Sequence, residues 1–176
     1  MTAGLVLGIF FFLNFICSTS STLILKLISY VIIANIIYFT IKNTIRYREK
    51  YSEGVITYGR VFQYVTFLFL FAGLISSVLK IFYLQYINPE YLPAIFEESV
   101  RQIEQNRAIF EKLNLNFDDK YFEELERQMK PINYSIQSIW VNILLGLILG
   151  FFLGFFIKKQ KSIFSDGNTN QTEIQN

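Results

Sequence analysis

A chain of 176 residues with 52% hydrophobic content carries more apolar surface than a soluble core of that size needs, and the excess lies in long runs. It has no histidine and one cysteine, Cys17, which removes the commonest neutral metal ligand and any intramolecular disulfide. The net charge of +2 says little as a sum, because residues 88–130 hold ten acidic and six basic groups while 1–25, 27–41, 61–79 and 131–157 hold none.

About 20 apolar residues cross a bilayer core of roughly 30 Å at 1.5 Å per residue. Four stretches meet that need, and the expected spans are residues 3–20, 22–41, 61–80 and 134–157. The first is short and needs 18–22 to complete the crossing. A signal peptide is the alternative there, but nothing basic precedes the run, and Ile16 is too bulky for a lipoprotein cleavage site before Cys17. A retained span is therefore expected.

Basic residues near span ends set topology. Lys42, Arg46, Arg48, Lys50 and Arg60 lie between the second and third spans, and Lys158, Lys159 and Lys161 follow the fourth. Both clusters are expected on the cytoplasmic side, with both termini, and 88–130 on the other side. Arg60 and Lys80 stand 20 residues apart, about 30 Å along a helix, so they are expected to bracket the bilayer core. Lys26 lies near the end of its span and can snorkel. Tyr83 and Tyr86 fit an aromatic belt beyond Lys80.

The third helix is expected to run on to Asn88, where Pro89 and Pro93 end it. Phe96, Val100, Ile103, Phe110 and Leu113 then share a helical face. Charge pairs four apart support helix there: Glu97–Arg101, Arg107–Glu111, Glu123–Arg127 and Glu126–Lys130. Asn116, three residues before Asp119, offers a start for a second short helix with Phe122, Leu125 and Met129 on one face, and Pro131 separates it from the last span. The polar tail, 161–176, is expected to be flexible and cytoplasmic.

The sharpest pattern is Ser138, Asn142, Gly146, Gly150 and Gly154, one small or polar stripe every four residues on the fourth span. In lipid, close approach at small residues is a main source of helix association. The stripe predicts a tightly packed partner helix: within the monomer, in another protomer or subunit, or, least favoured, a ligand crevice. Gly4 and Gly8 on the first span and Gly73 and Ser77 on the third offer the matching spacing. Asn14 and Asn35 read as interhelical glue rather than relay groups, since a relay enlists ionisable side chains.

Glu97–Glu98, Asp118–Asp119 and Glu123–Glu124 are adjacent carboxylates, which on a helix point about 100° apart and do not converge as an acid–base dyad. The acidic segment contains no glycine for a calcium loop, and no nucleophile signature or phosphate loop occurs. No catalytic residue, metal site or cofactor is expected, and no basic patch suggests nucleic acid.

The paired first and second spans, the basic turn, Gly54-Val55-Ile56-Thr57-Tyr58-Gly59, Asn88-Pro89-Glu90-Tyr91-Leu92 and the glycine-rich last span ending in lysines resemble a family of small four-span membrane proteins of Bacteroidota, a domain of unknown function. The resemblance covers roughly residues 1–160. It implies a bacterial inner membrane and brings no activity or site residues. Family members usually begin with basic residues, which this chain lacks.

Together these features predict an all-α membrane protein: a four-span domain over 1–160 with a helical extracytoplasmic segment between spans three and four. The expected role is a non-enzymatic structural or accessory subunit of an inner-membrane or envelope complex, with the lipid bilayer and a membrane-protein partner or homo-oligomer through the fourth span as its contacts. The alternative is a small-solute or ion transporter or channel, with Asn14, Asn35, Asn142 and Gln137 as its polar path. A helper of a lipid-linked glycosyltransferase is a third reading that no residue demands.

Overall fold

A computed structural model of the chain describes residues 2–20, 22–52, 54–112 and 117–158. The regular elements among them are all helical: α1 (Thr2–Thr19), α2 (Leu23–Tyr51), α3 (Tyr58–Phe82), α4 (Tyr91–Gln105), α5 (Arg107–Lys112), α6 (Asp119–Gln128) and α7 (Pro131–Ile157). Leu113, Asn116, the Glu111 side chain of the expected Arg107–Glu111 pair, and the tail 161–176 lie outside the described residues and side chains.

Four helices are long and apolar enough to cross a membrane: α1, α2, α3 with its extension to Ile87, and α7. Two of them overrun the expected spans. Helix α2 continues ten residues past 41, because the basic segment after the apolar run keeps helical neighbours and no proline interrupts it. Helix α3 passes from Phe82 into a π-helical turn, Tyr83–Ile87, closed by the Asn88 N–H donating to Tyr83 O at 2.9 Å. Pro89 then stops the chain where the sequence suggested.

The bundle is built around α3. It packs most extensively on α7 and next on α1, while α2 rests mainly on α1. Gly8 faces Ala72 and Ile75, and Gly4 faces Leu68 and Phe71, so α1 and α3 run parallel. Gly154, Gly150, Gly146 and Asn142 face Tyr58, Phe62, Phe69 and Gly73 in turn, so α3 and α7 run antiparallel. Between α2 and α3 the chain reverses at Gly54, whose φ of 78° suits a residue without Cβ. At this turn end α2 reaches α7: Arg48 Nη1 donates to the Ile157 carbonyl over 3.3 Å, satisfying one of the free acceptors at that helix C-terminus.

The opposite end carries an arm, α4–α6. The expected single helix over its first half is broken at Asn106, whose Nδ2 donates to the Gln102 carbonyl at 2.8 Å and ends α4. Helix α6 starts from Asp118, whose carboxylate accepts the Tyr121 N–H at 2.9 Å, two residues beyond the expected start at Asn116. Among the described side chains, Arg101 and Arg127 pair three apart rather than four: Glu98 with Arg101, and Glu124 with Arg127 at 2.7 Å. Both partners of each pair are solvent-exposed, so neither spacing matters much to stability. The arm joins the bundle through Leu92, which is buried with Phe15 and Leu84 beneath Tyr83, Tyr91 and Tyr134.

Candidate functional site: a groove with a polar head among the four spans

All four spans line one groove of about 490 Å³. Its polar lining comes from Asn14 and Ser18 on α1, Lys80 on α3 and Asn142 on α7. The rest is apolar. Ile33 and Ile37 form the α2 wall, and Val141, Leu145, Ile148 and Phe152 the α7 wall. Those six side chains are 41–54% exposed, so the groove opens sideways to the surroundings of the bundle, between α2 and α7. The two helices meet at Arg48 and Ile157, which closes the opening at the turn end of the bundle.

Lys80 is the group that gives this groove chemistry. It lies in the last turn of α3 and is only 8% exposed. Its ammonium stands 5.1 Å from the centroid of the Phe15 ring, within cation–π range. The four spans contain no Asp or Glu apart from Glu49, which lies at the turn end beside Arg48 at 3.7 Å. Lys80 therefore has no anionic partner among the described residues. Against the expectation for a residue at a span boundary, the side chain is not directed away from the bundle. It lies over Phe15, which packs with Leu84, Leu92 and Tyr83, and sequence gives no access to that azimuth. A charge inside a span is costly and normally pairs or marks a site.

The two asparagines carry the same signature. Asn142 is 8% exposed and its Nδ2 is buried without a partner; the Oδ1 of Asn14 is likewise buried and unbonded. Each unmade hydrogen bond costs about 1–3 kcal/mol. Ser18, by contrast, spends its hydroxyl on the Phe15 carbonyl at 2.9 Å. One cation without an anionic partner among the described residues and two asparagines with a buried unbonded atom thus line an otherwise apolar groove.

The stripe on α7 has a different role. Its Asn142, Gly146, Gly150 and Gly154 all face α3, and a Cβ at Gly146 would stand 2.6 Å from the Cβ of Phe69. Ser138 belongs to a hydroxyl seam: Ser77 donates to the Ser135 carbonyl at 2.8 Å and lies 3.2 Å from Ser138. The matching spacing is that of Gly73 and Ser77; Gly4 and Gly8 serve the other side of α3. The stripe's close approach is made within the chain, and Trp140, Leu144, Phe151, Phe155 and Phe156 are left on the outward side of α7.

The four residues of the expected polar path separate. Asn14 and Asn142 line the groove, whereas Asn35 and Gln137 are exposed elsewhere. Asn35 donates to its own helix at Val31 O, 2.9 Å away, and so does not bridge helices. Lys26 is exposed, as snorkelling requires. The carboxylate pairs of 88–130 lie on the arm and none lines the groove, with Asp118, Asp119, Glu123 and Glu124 exposed. Sequence reasoning placed Lys80 at a boundary and Asn142 in a packing stripe. The one signal that could have linked them is that α3 carries a lysine while the only acid in the four spans, Glu49, lies at their other end.

A family model described as "Protein of unknown function (DUF4199)" matches residues 1–159. No curated protein and no solved structure matches the chain.

Proposed function

The chain belongs to this family of unknown function, and we propose that within its multi-pass membrane architecture it acts as a non-enzymatic accessory subunit of an inner-membrane or envelope complex. The arm is its partner-binding element. What supports this is how little of the arm is buried: Leu92 is the one buried residue of α4, and α6 has none among the described residues. Ile103, Phe110, Phe122, Leu125 and Met129 are half-buried, and Ile109 and Tyr121 are exposed. Phe110, Phe117 and Tyr121 touch edge to face at 5.1 and 4.7 Å, which orders the arm tip without closing a core. Amphipathic helices gain their stability from covering such a face.

In this reading the arm lies outside the cytoplasmic membrane, because the α2–α3 turn concentrates Lys42, Arg46, Arg48 and Lys50. Photo-crosslinkers at Leu125 and Ile103 in native membranes should each trap the same protein, with Glu123 as the solvent-facing control. Adducts to lipid alone from both positions would sink the accessory role. Orientation is checked separately by membrane-impermeant thiol labelling of Gln105→Cys and Ser52→Cys in a Cys17→Ser background; only the first should react in intact cells.

A further inference from the structure

The groove runs from Lys80 past Phe69, 11 residues or about 16 Å back along α3, and on α7 continues to Phe152, six residues or about 9 Å beyond the Gly146 that faces Phe69. That is most of the roughly 30 Å hydrocarbon core. On the bracketing expected from the spacing of Arg60 and Lys80, the Lys80 ammonium stands at the level where lipid headgroups begin. Below it the walls are isoleucine, leucine, valine and phenylalanine, and they open sideways between α2 and α7. Cation at the interface, apolar channel beneath, lateral entry from the bilayer: these are the complement of one lipid with an anionic head.

We infer that the groove is a binding site for one anionic lipid, its phosphate on Lys80 and one acyl chain lying along Ile37, Leu145 and Ile148 toward Phe152. The occupant follows from three properties of the groove. A transmembrane helix of a partner, about 10 Å across with its side chains, needs more room than a groove of about 490 Å³ that closes where Arg48 ties α2 to α7. A small inorganic anion would use the ammonium and leave the apolar channel without purpose. A zwitterionic lipid would bring its own cation beside Lys80. Asn14 and Asn142 stand in the same lining, and each buries an unbonded amide atom beside it, Oδ1 and Nδ2 respectively. The inference stands apart from the arm's partner, and its test involves no second protein.

The full chain is reconstituted in phosphatidylcholine vesicles doped with phosphatidylglycerol, and the lipid retained is identified by native mass spectrometry. One phosphatidylglycerol per chain should be retained over phosphatidylcholine. Lys80→Gln should lose about tenfold or more of that retention, the scale of one charge-assisted hydrogen bond. Lys80→Arg should keep it. Leu145→Trp, which fills the channel and leaves the charge, should lose it as well. Lys26→Gln, an exposed lysine at the same end of the bundle, should bind as the parent does. Retention of phosphatidylcholine in proportion to its abundance, unchanged retention in Lys80→Gln, or an equal loss in Lys26→Gln would each overturn the site. Displacement of the lipid by soluble glycerol phosphate would overturn the lipid in favour of a free phosphate.

Discussion

The Lys80 ammonium lies 5.1 Å from the centre of the Phe15 ring, and that ring also meets Tyr83, Tyr91 and Tyr134 at centroid distances of 6.1, 6.0 and 6.3 Å. One phenylalanine on α1 thereby joins the end of α3, the first turn of α4 and the first turn of α7. Phe15→Ala should lower stability by about 3–5 kcal/mol, the usual cost of deleting a buried phenylalanine. It should also loosen the arm. Thermal unfolding in detergent reads the first effect, and faster proteolysis within 91–112 reads the second. A variant that unfolds earlier while its arm stays protected would show that Leu92 and Leu84 anchor the arm without Phe15.

A buried ammonium with no acid nearby is a burden on an empty groove. In a zwitterionic detergent, Lys80→Met should therefore raise stability by about 1–3 kcal/mol, because it removes an uncompensated polar group and keeps the volume. Differential scanning fluorimetry at neutral pH gives the answer. A lower midpoint would mean that the lysine is satisfied inside the bundle.

Gly146 and Gly59 offer a contrast in one chain. A Cβ at Gly146 would meet the Cβ of Phe69 at 2.6 Å, and that atom moves only with its helix. Gly146→Ala should cost about 1–3 kcal/mol by forcing α3 and α7 apart. Nothing lies within 4 Å of a Cβ at Gly59, so Gly59→Ala should be neutral or gain up to about 1 kcal/mol from helix propensity. Equal effects from the two substitutions would show that the α3–α7 seam is loose.

Tyr91 predicts a dependence on alkaline pH. Burial, with smaller effects from Tyr134 and Tyr83, pushes its phenol up to about 12 from an ordinary value near 10. The folded state then holds the Tyr91 proton more tightly than the unfolded one. Its contribution is present in full below about pH 10 and is lost as pH rises toward 12. The arm should become labile to protease across that window, and Tyr91→Phe should remove that part of the pH dependence. A profile unchanged by Tyr91→Phe would assign the transition to another group.

Four spans, the stop at Pro89, the arm as a separate charged unit and the α7 stripe were legible in the sequence. They follow from properties local to the chain: run length against bilayer thickness, proline's missing N–H, and small residues at a period of four. What was not legible was azimuth. Lys80 lies over the Phe15 ring, Asn142 and Asn14 reach one groove, and Asn35 points away from it. In a soluble helix the apolar stripe tells which side is inside. These spans are apolar all round, and lipid is as apolar as leucine, so no hydrophobic contrast orients them. Their rotation is set by steric fit between whole helices, such as Gly146 on Phe69 and Gly8 on Ile75. The sequence by itself thus determined that the chain has four membrane-spanning runs and which segment stands apart from them; only the packing of four helices decided that a lysine without an anionic partner among the described residues heads a groove lined by all four.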